Sequence, residues 1–233
     1  GTTDKEVQGN LIGTKADGSG DLGNTGTGVV ISLGASNNTV GGTQAGARNI
    51  ISGNDRNGVG IASSANKVEG NTIRNNVEDG VFVSSGSGNS VLSNSIFSNG
   101  GLGIDLAPNG VTPNDNDDPD TGANNLQNFP LITGAARSNS LGSAAISGTI
   151  NSNPNQQFTV QCFVADGDSS NQGEGATLAG EDPSVQTNAG GNGEFTCISG
   201  VPRDGDEVSV TATNEATGDT SEFSLNQTVE LVL

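Results

Sequence analysis

The densest run of potential ligands in this chain is Asn114-Asp115-Asn116-Asp117-Asp118-Pro119-Asp120-Thr121-Gly122-Ala123-Asn124. Closely spaced acidic residues followed by Gly let a tight loop aim several hard oxygens at one point. Carboxylates crowded in this way repel one another unless a cation sits among them. Asp115, Asp118, Asp120 and Asn124 supply four such oxygens, a set suited to Ca²⁺, which takes about six to eight. The bidentate Glu of an EF-hand is lacking, and a solvated acidic linker is the competing reading of the same residues.

Other chemistry is sparse. The chain has no His, no Trp and no Tyr. A Cys nucleophile therefore has no imidazole to activate it. Cys162 shares strand parity with Phe158 and Val160, and Cys197 with Phe195, so both point inward from predicted strands. A buried disulfide fits them and an exported protein; two free buried thiols are the alternative. Candidate bases are few: Lys5, Lys15, Arg48, Arg56, Lys67 and Arg74. Asp55 and Asp79, on successive repeats, could imitate a glycosidase pair, against the plainer reading of solvated corners. Sugar clefts use aromatic platforms, and most of the seven Phe fall at core positions. Enzyme activity is therefore less expected than a structural role.

The elements that must position these groups are written as a repeat. Three phrases recur in fixed order: Asn-x-Ile/Val (Asn49, Asn71, Asn94), Gly-Val/Ile-x-aliphatic (Gly28, Gly58, Gly80, Gly103) and Asn-x-Val (Asn38, Asn66, Asn89). Asn49 to Asn71 is 22 residues and Asn71 to Asn94 is 23. A constant period of this size marks a solenoid, whose coils bury a core only by stacking. Each phrase alternates aliphatic residues like a strand, and Gly, Asn, Ser and Asp between them turn the chain. Three strands and three corners per period predict a parallel β-helix of about four coils. A second Asn follows the first phrase at constant distance (Asn54, Asn76, Asn99), so stacked coils should align Asn49, Asn71 and Asn94, and Asn54, Asn76 and Asn99, into amide ladders. The first coil departs from the pattern: Lys15 stands where the second Asn belongs. Insertions at Thr14 to Thr27 and Gly41 to Arg48 should loop out, as binding loops or as neutral ornaments.

The repeats stop after Leu106. From Leu141 onward, short alternating strands predict an antiparallel sandwich: Ala144 to Ile150, Phe158 to Val164, Gly193 to Ile198, Glu207 to Thr213, Ser221 to Leu225 and Thr228 to Leu233. The expected domains are 1–136 and 137–233. Net charge is −18, which opposes nucleic acid and anionic lipid as partners. No run of apolar residues is long enough to insert in a membrane. The chain opens at Gly1 almost directly into a coil phrase, as expected of a mature or excised piece of a longer protein.

Gly9 to Thr14, Arg48 to Asn54, and the run from Asp115 through Leu126-Gln127-Asn128-Phe129-Pro130 resemble bacterial secreted or cell-surface proteins with right-handed parallel β-helix repeats, the pectin-lyase-like superfold. Gly173-Glu174-Gly175, Gly191-Asn192-Gly193-Glu194-Phe195 and Thr220-Ser221-Glu222-Phe223-Ser224 extend the resemblance to an immunoglobulin-like domain. The resemblance implies an extracellular or surface location. It is weak for function, because this fold hosts lyases, hydrolases, adhesins and scaffolds. The expectation is a non-catalytic structural or adhesive surface protein. Its partners would be further copies of itself, stacked head-to-tail into a filament, or a cell-surface or matrix component. A polysaccharide-active or polysaccharide-binding β-helix is the alternative.

Overall fold

The computed structural model describes residues 1–165 and 172–232. Among these residues there is no α-helix, and strands carry the whole fold. The first half is a parallel β-helix of four coils. Coil one holds β1 (Glu6–Val7), β2 (Leu11–Ile12) and β3 (Val29–Ile31). Coil two holds β4 (Thr39–Gly41), β5 (Ile50–Ser52) and β6 (Val59–Ala62). Coil three holds β7 (Lys67–Glu69), β8 (Thr72–Arg74) and β9 (Val81–Ser85), and coil four β10 (Ser90–Leu92), β11 (Ser95–Phe97) and β12 (Ile104–Leu106). Equivalent strands pair in parallel and form three four-stranded sheets, β1-β4-β7-β10, β2-β5-β8-β11 and β3-β6-β9-β12.

The register puts like on like. Val7, Val40, Val68 and Val91 align in one sheet, and Ile12, Ile51, Ile73 and Ile96 in the next. In the third sheet Val59, Val81 and Ile104 form one row, and Ile61, Val83 and Leu106 another. From coil two onward these side chains are almost wholly buried, each contributing about 1.5–3 kcal/mol of hydrophobic stabilisation. The Gly of the second phrase is set by close approach. A Cβ on Gly80 would lie 2.5 Å from Ile96 Cγ2 and 2.6 Å from the Gly103 carbonyl oxygen.

The second half is a pair of four-stranded sheets. One has the order β17-β14-β13-β20, from β13 (Leu131–Ser138), β14 (Ser143–Asn151), β17 (Asn192–Ser199) and β20 (Glu230–Val232). The other has the order β16-β15-β18-β19, from β15 (Gln157–Val164), β16 (Thr177–Gln186), β18 (Glu207–Asn214) and β19 (Gln227–Thr228). All pairs are antiparallel except β13 with β20, which is parallel. A separate core, including Ile146, Ile150, Phe158, Val160, Phe195, Val208 and Val210, lies in this module. The Cys162–Cys197 disulfide ties β15 to β17, one strand from each sheet.

Several sequence expectations shift. The boundary drawn at 136/137 falls inside β13, so the second module begins at Leu131. The sequence reading missed β13 and β16; β16 carries Gly180 and Pro183 and is an edge strand with register shifts, where Pro is tolerated. Ser221 to Leu225 is not a strand. It runs beside β18, with Ser221 and Ser224 hydroxyls accepting the Ala212 and Val210 N–H groups. The expected Thr228 to Leu233 strand is split into β19 and β20, and Leu233 lies outside the described residues.

Candidate functional site: the acidic loop and the joint beneath it

Three amide ladders run along the coils. Asn10, Asn49, Asn71 and Asn94 form one: each Nδ2 donates to the next Oδ1, at 3.1, 2.9 and 3.0 Å. Asn54, Asn76 and Asn99 form the second, with steps of 2.9 Å. Its first-coil member is Asn24, which donates to Asn54 Oδ1 at 2.8 Å. The insertion thus returns an Asn to the place that sequence spacing gave to Lys15. The third ladder, Asn38, Asn66 and Asn89, is built by the Asn-x-Val phrase of the repeat.

Each described ladder step donates toward the C-terminal end of the coil stack, so the last coil needs acceptors. Asn124 continues the third ladder: its Oδ1 accepts from Asn89 N and Nδ2, and its Nδ2 donates to the Asn89 and Thr220 carbonyls. Glu174 ends the second, its Oε1 accepting from Asn99 N and Nδ2. The second module also closes the strand edges. Val91 N–H donates to Thr220 Oγ1, Ile96 N–H to the Gly175 carbonyl and Leu106 N–H to Glu222 Oε1. Gly88 N–H donates to Asp219 Oδ1 at 2.6 Å. Glu174, Asp219 and Glu222, all 1% exposed, therefore cap the donors of the final coil. Phe163 and Phe223, 5.4 Å apart edge to face, extend the coil core into the module. None of these three acids was legible as a site in the sequence.

The acidic loop follows the last coil in the chain and is held against the second module at Asn151, Ser152 and Asn153. Carboxylate oxygens of Asp115, Asp118 and Asp120 lie within 4.8 Å of one another. The structure brings these three together and places Asn124 elsewhere. Its carboxamide oxygen is spent on the Asn89 ladder, so the proposed four-ligand set reduces to three carboxylates. The loop is stapled down: Asn128 exchanges hydrogen bonds with Asp115, Asn151 Oδ1 accepts from Asp117 N–H, and Asn153 Nδ2 donates to the Asp118 carbonyl. Asp117 and Asp118 adopt left-handed φ of 64° and 55°. Asp118 is 5% exposed, and its Oδ2 accepts from Ser152 Oγ and Gln127 Nε2. Burial first, then the Asp120 and Asp115 charges, push its pKa up to about 6, although the Ser152 and Asn128 hydrogen bonds pull the other way. Burial and then Asp115 also raise Asp120. Asp115 Oδ1 and Asp120 Oδ1 are buried atoms without a hydrogen-bond partner. Hard oxygens, mutual repulsion and two orphaned acceptors fit a hard metal cation.

The other candidates disperse. Asp55 is exposed, while Asp79 is buried with its Oδ1 accepting from Leu102 N–H. Asp79 lines a cleft of about 400 Å³ with Asn57, Glu78, Phe82 and Asn109. Phe82 is half-buried on the outer face, as is Phe97, over whose ring Arg74 lies at 5.9 Å. A smaller space, about 230 Å³, lies under the first insertion, between Thr14, Asp21, Ser52, Arg74 and Asn75.

A family model described as a right handed beta helix region matches residues 22–118, from the first insertion to Asp118 of the acidic loop. No curated protein matches the chain. The coil half is thus a right-handed parallel β-helix by both its strand stacking and this match. Among the described residues, no helix is long and apolar enough to cross a membrane.

Proposed function

We propose that the chain is a non-catalytic extracellular structural or adhesive protein of a bacterial surface, with calcium bound in the acidic loop. The observation that carries this reading is how the polar residues are spent. The phrase Asn residues form ladders, the module acids cap strand ends, and the Asp115, Asp118 and Asp120 cluster gathers three carboxylates with two of its buried oxygens unpartnered. A cation there would tie the coil to the second module through the loop that Ser152 and Asn151 already hold. The disulfide supports an oxidising location, and the resemblance of the second module to immunoglobulin-like domains supports a surface role. The test is calorimetric titration with CaCl2. Binding in the wild type that is lost in Asp118→Asn and Asp120→Asn supports the site, and absence of heat in the wild type at millimolar calcium refutes it.

The partner we propose is a further copy, docked head-to-tail. The outer edges of β1, β2 and β3 are unpaired among the described residues. Beside them lies a space of about 380 Å³, lined by Val7, Val29, Ile31, Ala35 and Val40. Residues 1–50 carry 4 acidic and 3 basic side chains, a net −1 within a total of −18, so like copies repel least at this end. Electron microscopy of concentrated protein should show fibres, and dispersed particles would end the idea. A polysaccharide-binding or polysaccharide-cleaving role is the second reading. The cleft at Phe82 favours it, because an aromatic face beside Glu78, Asp79 and Asn57 suits a sugar ring. Release of reducing ends or unsaturated products from a polysaccharide panel would decide for it.

A further inference from the structure

The joint between the last coil and the second module holds an unusual concentration of buried acid. Glu222 sits at its centre: Oε1 accepts from Leu106 N–H on β12 and Oε2 from Thr112 N–H on the following loop, both at 3.0 Å. Asp105, the residue before Leu106, is 1% exposed. Its Oδ2 accepts from Gly110 N–H, and its Oδ1 is buried without a partner. Asp79, 6% exposed, acts on Asp105 from coil three, and Glu78 acts on Asp79. On the module side stand Asp219, holding Gly88 and Asn125, and Glu174, holding Asn99. Among the described residues the ion pair is Lys67 with Glu69 on the coil, and neither Asp105 nor Glu222 is paired with a Lys or Arg.

We propose that this joint is a pH-sensitive closure, shut while Asp105 and Glu222 are neutral and loosened as they ionise against each other. Position and burial set up the coupling. Asp105 lies on β12 beside Leu106, whose N–H Glu222 holds, both side chains are 1% exposed, and among the described residues neither has an ion-pair partner. Burial first, and then Asp105, raise Glu222 to about 7, despite the opposing Leu106 and Thr112 hydrogen bonds; burial and then Asp79 raise Asp105 to about 6. A carboxyl raised on folding favours the closed form below its ordinary pKa, and that advantage is lost as pH rises through the raised value. If opening returns Glu222 from about 7 to its ordinary 4.5, full ionisation multiplies the opening equilibrium by about 300-fold. Opening would bare the edges of β10, β11 and β12, which Thr220, Gly175 and Glu222 now cover.

Amide hydrogen exchange on the whole chain, corrected for the intrinsic pH dependence of exchange, tests this closure. Between pH 4.5 and 8.5, protection at Leu106 and Thr112 should fall by up to two orders of magnitude, while mid-stack Ile73 on β8 keeps its protection. Glu222→Gln should remove most of the step. Asp105→Asn, which leaves the Glu222 hydrogen bonds in place, should shrink it should the first variant fold poorly. Constant protection at Leu106 and Thr112 overturns the proposal. So does a step retained in both variants, or an equal loss at Ile73, which would mark global unfolding.

Discussion

Asn71→Ala offers the sharpest test of the ladder energetics. Asn71 is 1% exposed and sits mid-stack. Its Oδ1 accepts from Asn49 N at 3.3 Å and Asn49 Nδ2 at 2.9 Å. Its Nδ2 donates to the Val40 carbonyl at 2.8 Å, the Glu69 carbonyl at 3.1 Å and Asn94 Oδ1 at 3.0 Å. Truncation deletes all of these and leaves the Asn49 backbone N–H buried without an acceptor. At about 1 kcal/mol net for each of four bonds, plus about 1–2 kcal/mol for the orphaned donor, the cost is roughly 5 kcal/mol. That is a large part of the ~5–15 kcal/mol that holds a typical domain folded. Asn10→Ala is the internal control. Asn10 lies exposed in coil one, and its side chain bonds the Gln8 carbonyl and Asn49 Oδ1 without being walled from water. It should cost no more than about 1 kcal/mol. Urea denaturation of both variants, with slopes compared to confirm two-state behaviour, measures the difference. Costs that agree within about 1 kcal/mol would refute the claim that a buried ladder amide stabilises the coil stack far more than an exposed one.

Three further outcomes follow from the same geometry. Without divalent cations, the raised Asp118 should subtract stability as pH rises from its ordinary 3.8 to about 6, up to roughly 3 kcal/mol at about 1.4 kcal/mol per unit. Asp118→Asn should flatten that portion of the melting-temperature profile, and saturating calcium should reverse its sign in the wild type. Opening the Cys162–Cys197 bond, which spans 35 residues, should cost about 4 kcal/mol in the chain-entropy picture, read as a lower urea midpoint for Cys162→Ala/Cys197→Ala. Gly80→Ala should cost about 1–3 kcal/mol by overpacking against Ile96 and the Gly103 carbonyl, whereas Gly26→Ala, with open space around it, should be tolerated on thermal melting.

The period of 22 and 23 residues, the aliphatic columns and two of the three ladders were legible in the sequence, because a solenoid makes each contact a fixed number of residues away. Asn49, Asn71 and Asn94 meet for the same reason that they are evenly spaced. Both Cys were placed by parity, which is equally local. What tertiary structure decided lies wherever that one-dimensional rule ends. Asn24 replaces Lys15 in its ladder because an inserted loop folds back, and no spacing rule counts through a loop. Asn124 sits in the acidic run by sequence, yet it turns away from the three carboxylates because the unmet Asn89 amide is a nearer claim on its oxygen. Glu174, Asp219 and Glu222 read as scattered acids of a separate domain. Only the docking of that domain onto the final coil sets them against Asn99, Gly88 and Leu106, and burial at that joint, rather than any local pattern, turns surface-type residues into strand caps.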